Sequence, residues 1–112
     1  MLITVAELPE YQRLADKLLA STERMDLVSY LAAFPKAGDL VTGTGGIRKL
    51  RWARGGRGKS GGVRVIYYFH SERMPLYLIT IFAKNEQANL SKAERNDLAK
   101  LVDELIEIRT ES

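Results

Sequence analysis

An α+β fold, a small and mainly antiparallel sheet with helices packed on it, is predicted by three features of this chain. Helical periodicity is confined to the two ends, over 7–34 and 91–108. All nine glycines fall between 38 and 62, where they punctuate the chain rather than populate helices. Three strand-like runs, 47–53, 62–70 and 75–84, follow one another with no helical segment between them. Strands in succession, flanked by helices, favour antiparallel pairing over alternating β-α-β units. At 112 residues with 46% apolar content, the chain is long enough for one domain, 1–112, with a core of its own.

The elements follow in order. LITVA (2–6) reads as a short strand at the sheet edge. Over 7–19, Tyr11, Leu14 and Leu18 share a helical face, and Pro9 suits the first turn, where its missing N–H is tolerated. A second helix is expected after Ser21 as N-cap, with Leu27, Leu31 and Phe34 inward and Pro35 helping to stop it. GTGG (43–46) leads into IRKLRWA, where Lys49 and Arg51 share one face and Leu50 and Trp52 the other. GVRVIYYFH (62–70) is rich in β-branched and aromatic residues, SERMP forms a turn, and PLYLITIFAK (75–84) is apolar on both faces, as an interior strand should be. Ser91 and Glu94 form an S-x-x-E capping box for the last helix, whose Leu98, Leu101, Val102, Leu105 and Ile108 make an apolar stripe. The predicted order is β-α-α-β-β-β-α, with helices covering one face of the sheet.

Charge is unevenly placed. The formal net charge is +3, yet residues 40–71 contain no Asp or Glu and seven basic residues: Arg48, Lys49, Arg51, Arg54, Arg57, Lys59 and Arg64. The rest of the chain carries ten basic against fourteen acidic residues. A basic centre in an otherwise acidic chain marks a polyanion site. ARGGRGKS (53–60) falls one residue short of the phosphate-binding pattern G-x-x-x-x-G-K-[ST], because Ala53 stands where the first glycine belongs. That motif also needs a helix after it, and here a strand follows. Nucleotide hydrolysis is therefore set aside, as is a dinucleotide role for GTGG.

What remains is phosphate binding without a nucleotide pocket. On 63–70, Arg64, Ile66, Tyr68 and His70 point one way, while Val63, Val65, Tyr67 and Phe69 read as core. Lys84 continues the set Leu78, Thr80 and Phe82 on the next strand. If these faces coincide, Lys49, Arg51, Arg64 and Lys84 converge with Tyr68 beside them, charge for phosphate next to an aromatic for a base. The absence of cysteine excludes disulfides and thiolate metal sites, and the single histidine, His70, reads as a turn residue. No metal or other cofactor is expected. No apolar run approaches the ~20 residues of a membrane span, and the N-terminus lacks a basic segment followed by a long apolar one, so a cytoplasmic protein with no membrane partner is expected.

The segments G-x-R-K-L-R-W, G-K-S-G-G-x-R-V-I-Y-Y and I-F-A-K-N-E, in that order and spacing, resemble the RelE/ParE superfamily of bacterial toxins, in particular its HigB-like RelE branch. The resemblance runs from about Pro35 to Glu107. It implies a RelE-like sheet with two N-terminal helices on one face and a C-terminal helix. It also implies a toxin of a type II toxin–antitoxin system that binds the ribosomal A site and cuts mRNA there by attack of a ribose 2′-OH on the adjacent phosphate. By position, Lys49 and Arg51 match the paired basic residues of the first long strand. Arg64 matches the arginine assigned to the scissile phosphate, and Lys84 the basic position after the last strand, acid or phosphate ligand. The family's common arginine there is replaced by Lys84-Asn85, and no terminal catalytic tyrosine is evident. Arg48, Arg54, Arg57, Lys59, Tyr68 and Asn85 are the expected RNA contacts. Positive neighbours favour the neutral, base-competent form of a lysine, and Lys49 lies two residues from Arg51. The implied partners are the ribosome, mRNA and a cognate antitoxin, HigA-like with a helix-turn-helix domain, through which alone operator DNA would be bound. The competing readings are a ParE-like gyrase inhibitor and a non-catalytic nucleic-acid-binding co-repressor.

Overall fold

A computed structural model describes residues 2–53, 62–87 and 89–111, with side chains to residue 108. The elements are β1 (Val5–Glu7), α1 (Pro9–Leu18), α2 (Ser21–Ala33), β2 (Asp39–Leu40), β3 (Ile47–Trp52), β4 (Val63–Tyr68), β5 (Leu76–Ala83) and α3 (Lys92–Glu111). They form a five-stranded sheet in the order β1-β5-β4-β3-β2. β1 lies at the edge, parallel to β5, and the other pairings are antiparallel. The two-residue β2 is an addition to the expected order. Its Asp39 and Leu40 pair with Lys49 and Arg48, and this extends the sheet past β3.

The helices occupy both faces of the sheet. Tyr11, Ala15 and Leu19 of the α1 segment and Leu27 and Leu31 of α2 pack on Leu50, Val63, Val65, Tyr67, Leu76, Leu78 and Ile81. This is the expected placement of the N-terminal pair. Leu98, Val102 and Leu105 of α3 pack instead on Ile47, Ile66, Tyr68 and Ile79, on the opposite face. The expectation of helices on one face fails because β4 is buried on both sides. All six of its residues are buried, and a strand of that kind needs cover above and below.

A bulge in β5 sets which side chains share a face. Ile66 pairs with Thr80 and Tyr67 with Leu78, so Ile79 is the extra residue. Leu78 therefore faces α1 and α2 while Phe82 packs toward α3, and the predicted common face for Leu78, Thr80 and Phe82 is corrected at Leu78.

Local chemistry explains the ends of the elements. Pro9 opens α1 as expected. Ala20 rather than Ser21 is the N-cap of α2, and its backbone N–H donates to the Glu23 carboxylate at 2.9 Å. The capping box of α3 is reciprocal: Glu94 N–H donates to Ser91 Oγ at 3.1 Å, and Ser91 N–H donates to Glu94 Oε1 at 2.8 Å. GTGG is the β2–β3 hairpin turn, with positive φ at Gly43, Gly45 and Gly46. At its centre, buried Thr44 donates its hydroxyl to Val41 C=O at 2.6 Å and accepts the Ile47 N–H at 3.2 Å.

Two predicted core positions are not core. Phe34 is 58% exposed and rests on Tyr30, whose ring also meets Trp52 (centroids 5.2 and 5.4 Å). Ile108, three residues past the last buried residue of the stripe, Leu105, is 63% exposed.

Tyr67 fastens the link between α2 and the sheet. Its hydroxyl donates to Pro35 C=O at 2.9 Å and accepts the Gly38 N–H at 2.8 Å. A Cβ on Gly38 would stand 2.9 Å from that same hydroxyl. Tyr67→Phe leaves two backbone groups without this partner and should destabilise by about 1–3 kcal/mol. A lower urea midpoint at unchanged m-value checks this. Tyr11 is the opposite case: its buried hydroxyl has no hydrogen-bond partner among the described residues. Burial first, then the Glu7 carboxylate, pushes its pKa up to about 12. The folded state keeps this proton after the unfolded chain loses it near tyrosine's ordinary value of 10.0, so stability drains away as pH rises from about 10 to about 12. Tyr11→Phe should be close to neutral at pH 7 and should flatten that alkaline loss, measured by urea titrations at pH 7 and above pH 10.

Candidate active site

The β3–β4 register decides the geometry. Arg51 lies directly opposite Arg64, and Lys49 lies opposite Ile66. Arg64 in turn lies opposite Phe82, and Ile66 opposite Thr80. Residues that face one another across a pair project to the same side of the sheet. Three rows therefore cross the α3 face: Arg51, Arg64 and Phe82; then Lys49, Ile66 and Thr80; then Ile47, Tyr68 and Tyr77. α3 packs over the third row and reaches Ile66 and Phe82, and neither Arg51, Arg64 nor Lys49 belongs to its apolar cluster. The three cations thus share the α3 face of the sheet, at the end away from the Ile47, Tyr68 and Tyr77 row.

Their environments differ. Arg51 is exposed and Lys49 half-buried. Arg64 is only 5% exposed, and its guanidinium donates to Val63 C=O at 3.3 Å. Burial, and then the Arg51 guanidinium, lower the Arg64 pKa from its ordinary value. Among the described residues, no carboxylate stands within ion-pair distance of Arg64. A guanidinium keeps its charge in a protein, so Arg64 is a buried cation beside a like charge, an arrangement an anion relieves. Lys49 Nζ donates to Asn89 Oδ1 at 3.3 Å. Asp39 faces Lys49 across the β2–β3 pair. Asn89 and Asp39 were not anticipated. Asp39 lies one residue outside the acid-free window, and only the short β2 brings it alongside.

The remaining expected residues separate. Lys84 is exposed just past β5, and its backbone N–H donates to Gly62 C=O at 3.2 Å, so it sits at the mouth of the β3–β4 connection two residues beyond Phe82. Asn85 is exposed in the following turn. Arg48 is not part of the cluster. It faces the α1/α2 side opposite Tyr67, where its guanidinium donates to Gly38 C=O at 2.8 Å and Lys36 C=O at 3.3 Å. That guanidinium braces the 35–38 turn. Tyr68 is 2% exposed under α3, so no base can stack on it. Burial, then the Asp103 carboxylate, raise its pKa. Arg54, Arg57 and Lys59 lie outside the described residues, as does most of the near P-loop segment, but the element that follows that segment is strand β4. His70 is exposed beyond the end of β4.

Among the described residues, no three His, Asp or Glu side chains cluster so as to hold a metal ion. None of their helices is long and apolar enough to cross a membrane.

A family model described as the RelE toxin of the RelE/RelB toxin-antitoxin system matches residues 36–112. This chain belongs to the RelE toxin family. A RelE-family toxin implies a cognate antitoxin as partner. The fold agrees with that of a solved E. coli RelE, a double arginine-to-alanine mutant in the free state. The two match with a TM-score of 0.56 at 18% identity, over 79% of this chain and 90% of that one. The match to the RelE family begins after α2, so Lys49, Arg51, Arg64 and Lys84 all fall within it.

If the Arg51–Arg64 pair is an anion site, inorganic phosphate should raise the melting temperature of this RelE-family toxin more than chloride at equal ionic strength. Arg64→Met should lose that increment while melting at or above the wild-type temperature without phosphate, since it removes a desolvated charge. Calorimetry on both proteins checks this.

Proposed function

We propose that this toxin is a ribosome-dependent endoribonuclease of the HigB-like branch that cleaves mRNA in the A site without a metal ion. The observation that carries the reading is the alignment of Lys49, Arg51 and Arg64 on one sheet face, with Arg64 buried and lacking a described counter-ion. A site that binds a phosphodiester needs fixed positive charge whose partner is the substrate.

In the proposed reaction, the non-bridging oxygens of the scissile phosphate lie between Arg51 and Arg64. The ribose 2′-oxygen attacks phosphorus while Lys49, in its neutral form, takes the 2′ proton. The bond from phosphorus to the 5′-oxygen breaks, Lys84 in its ammonium form gives that oxygen a proton, and a 2′,3′-cyclic phosphate remains. Protons and electron pairs balance within the substrate and two lysines. Acid–base help of this kind contributes about 10²–10⁴-fold, and fixed cations stabilise charge that develops only in the transition state. Arg51 is exposed and Lys49 half-buried, and in this reading the ribosome supplies the orientation of the 2′-OH. The antitoxin is read as HigA-like, with a helix-turn-helix domain that carries the pair to operator DNA.

The test is to map mRNA 5′ ends after brief induction of the wild type and of Arg64→Ala. New ends within translated codons are expected for the wild type, reduced about 10²–10³-fold in the variant, the usual loss for one preorganised donor. DNA breaks with intact mRNA would instead place the chain with gyrase inhibitors, and operator binding without cleavage would make it a co-repressor.

A further inference from the structure

The apolar stripe of α3 changes character at its N-terminal end. Leu98, Val102 and Leu105 are buried on the sheet, yet one turn earlier that side of the helix carries Arg95, with Lys92 flanking it in the first turn. Two open pockets lie along this part of the helix. The smaller, ≈ 200 Å³, is lined by Lys49, Asn89 and Arg95 with Val41 and Leu90. The larger, ≈ 460 Å³, is lined by Arg95, Lys92 and Asn96 with the 41–43 stretch. They share Val41 and Arg95, so they adjoin, one reaching Lys49 and the other the hairpin turn, and are treated together as one groove. None of its lining residues is acidic, whereas the pocket between α1 and α2 contains Glu7 and Asp16, and the one between α1 and β5 contains Glu10, Glu86 and Glu94. Arg95 spends one donor on Leu90 C=O at 2.9 Å. A guanidinium has five N–H donors, so others remain for the groove.

Three cations in sequence with two carboxamides between and beside them suit a chain of phosphates with base edges within reach of Asn89 and Asn96. We infer that this groove is the track for the single-stranded RNA that flanks the cleaved linkage, with Lys49 shared between the reaction site and the track. The inference rests on the endoribonuclease reading for its choice of message RNA, but the groove is defined by residues that reading does not use, Lys49 excepted.

The experiment measures binding of the full chain to a fluorescent, fully 2′-O-methylated single-stranded RNA, which cannot be cut. Lys92→Ala and Arg95→Ala should each weaken binding severalfold and flatten the slope of log affinity against log salt by about 0.7. Arg95→Lys should restore the slope, and Lys100→Ala, on the exposed side of α3, should match the wild type. Wild-type affinity in both alanine variants, or no wild-type binding at low salt, overturns the track. Loss of binding to vacant ribosomes with oligonucleotide affinity intact also overturns it, assigning the groove to ribosomal RNA. Cleavage of ribosome-bound message by Arg64→Ala judges the reaction separately. If message is never cut while Lys92→Ala and Arg95→Ala lose RNA affinity, the track stands and the proposed reaction falls.

Discussion

Burial of β4 on both faces is the constraint on which the rest of the structure depends. Its six residues are all inaccessible, in the second half of a chain whose helices lie at its ends. Because side chains alternate strictly, one face of this strand must be closed by the N-terminal helices and the other by α3. That requirement fixes the path of the C-terminal helix and places Arg64 in the middle of the sheet. A guanidinium there is held by strands on both sides and has little rotational freedom left to lose when an anion arrives. The rigidity is supplied by apolar packing, and the polar site uses it.

The fold was legible where local patterns and tertiary needs agreed. Ser91 and Glu94 marked the start of α3, and three hydrophobic runs marked three strands, since caps and alternation act over a few residues. The side of the sheet that α3 takes was not legible, because an amphipathic helix states that it packs but not on which face. The bulge at Ile79 was invisible for the same reason: an apolar strand of eight residues has no alternation to reveal a phase change. Phe34 was misread because it is the C-cap of α2, where the backbone leaves helical geometry and the helical face no longer applies.

The candidate site divides along the same line. Parity suggested a common face for Lys49, Arg51 and Arg64 if the strand faces coincided, and the register puts the three on one face. Arg48 shows the limit of charge counting: it lies in the same acid-free stretch, yet its guanidinium is engaged by two backbone carbonyls on the far face. Tyr68 shows the limit of composition, since an aromatic with the right parity can still lie under a helix. Asn89 and Arg95 carry no signature in sequence. They matter only because the turn before α3 and its first two turns come to rest beside β3.

The extra residue in β5 also governs how this protein can be compared with its relatives. A bulge resets the odd–even phase of a strand without changing its apparent hydrophobicity. In any relative that lacks it, a gapless match through Ile79 would assign each later strand residue to the wrong side of the sheet. Positions around Phe82 and Lys84 are therefore transferable between sequences only after a gap is placed there. An equivalence drawn without it would exchange a solvent-side group for a core one.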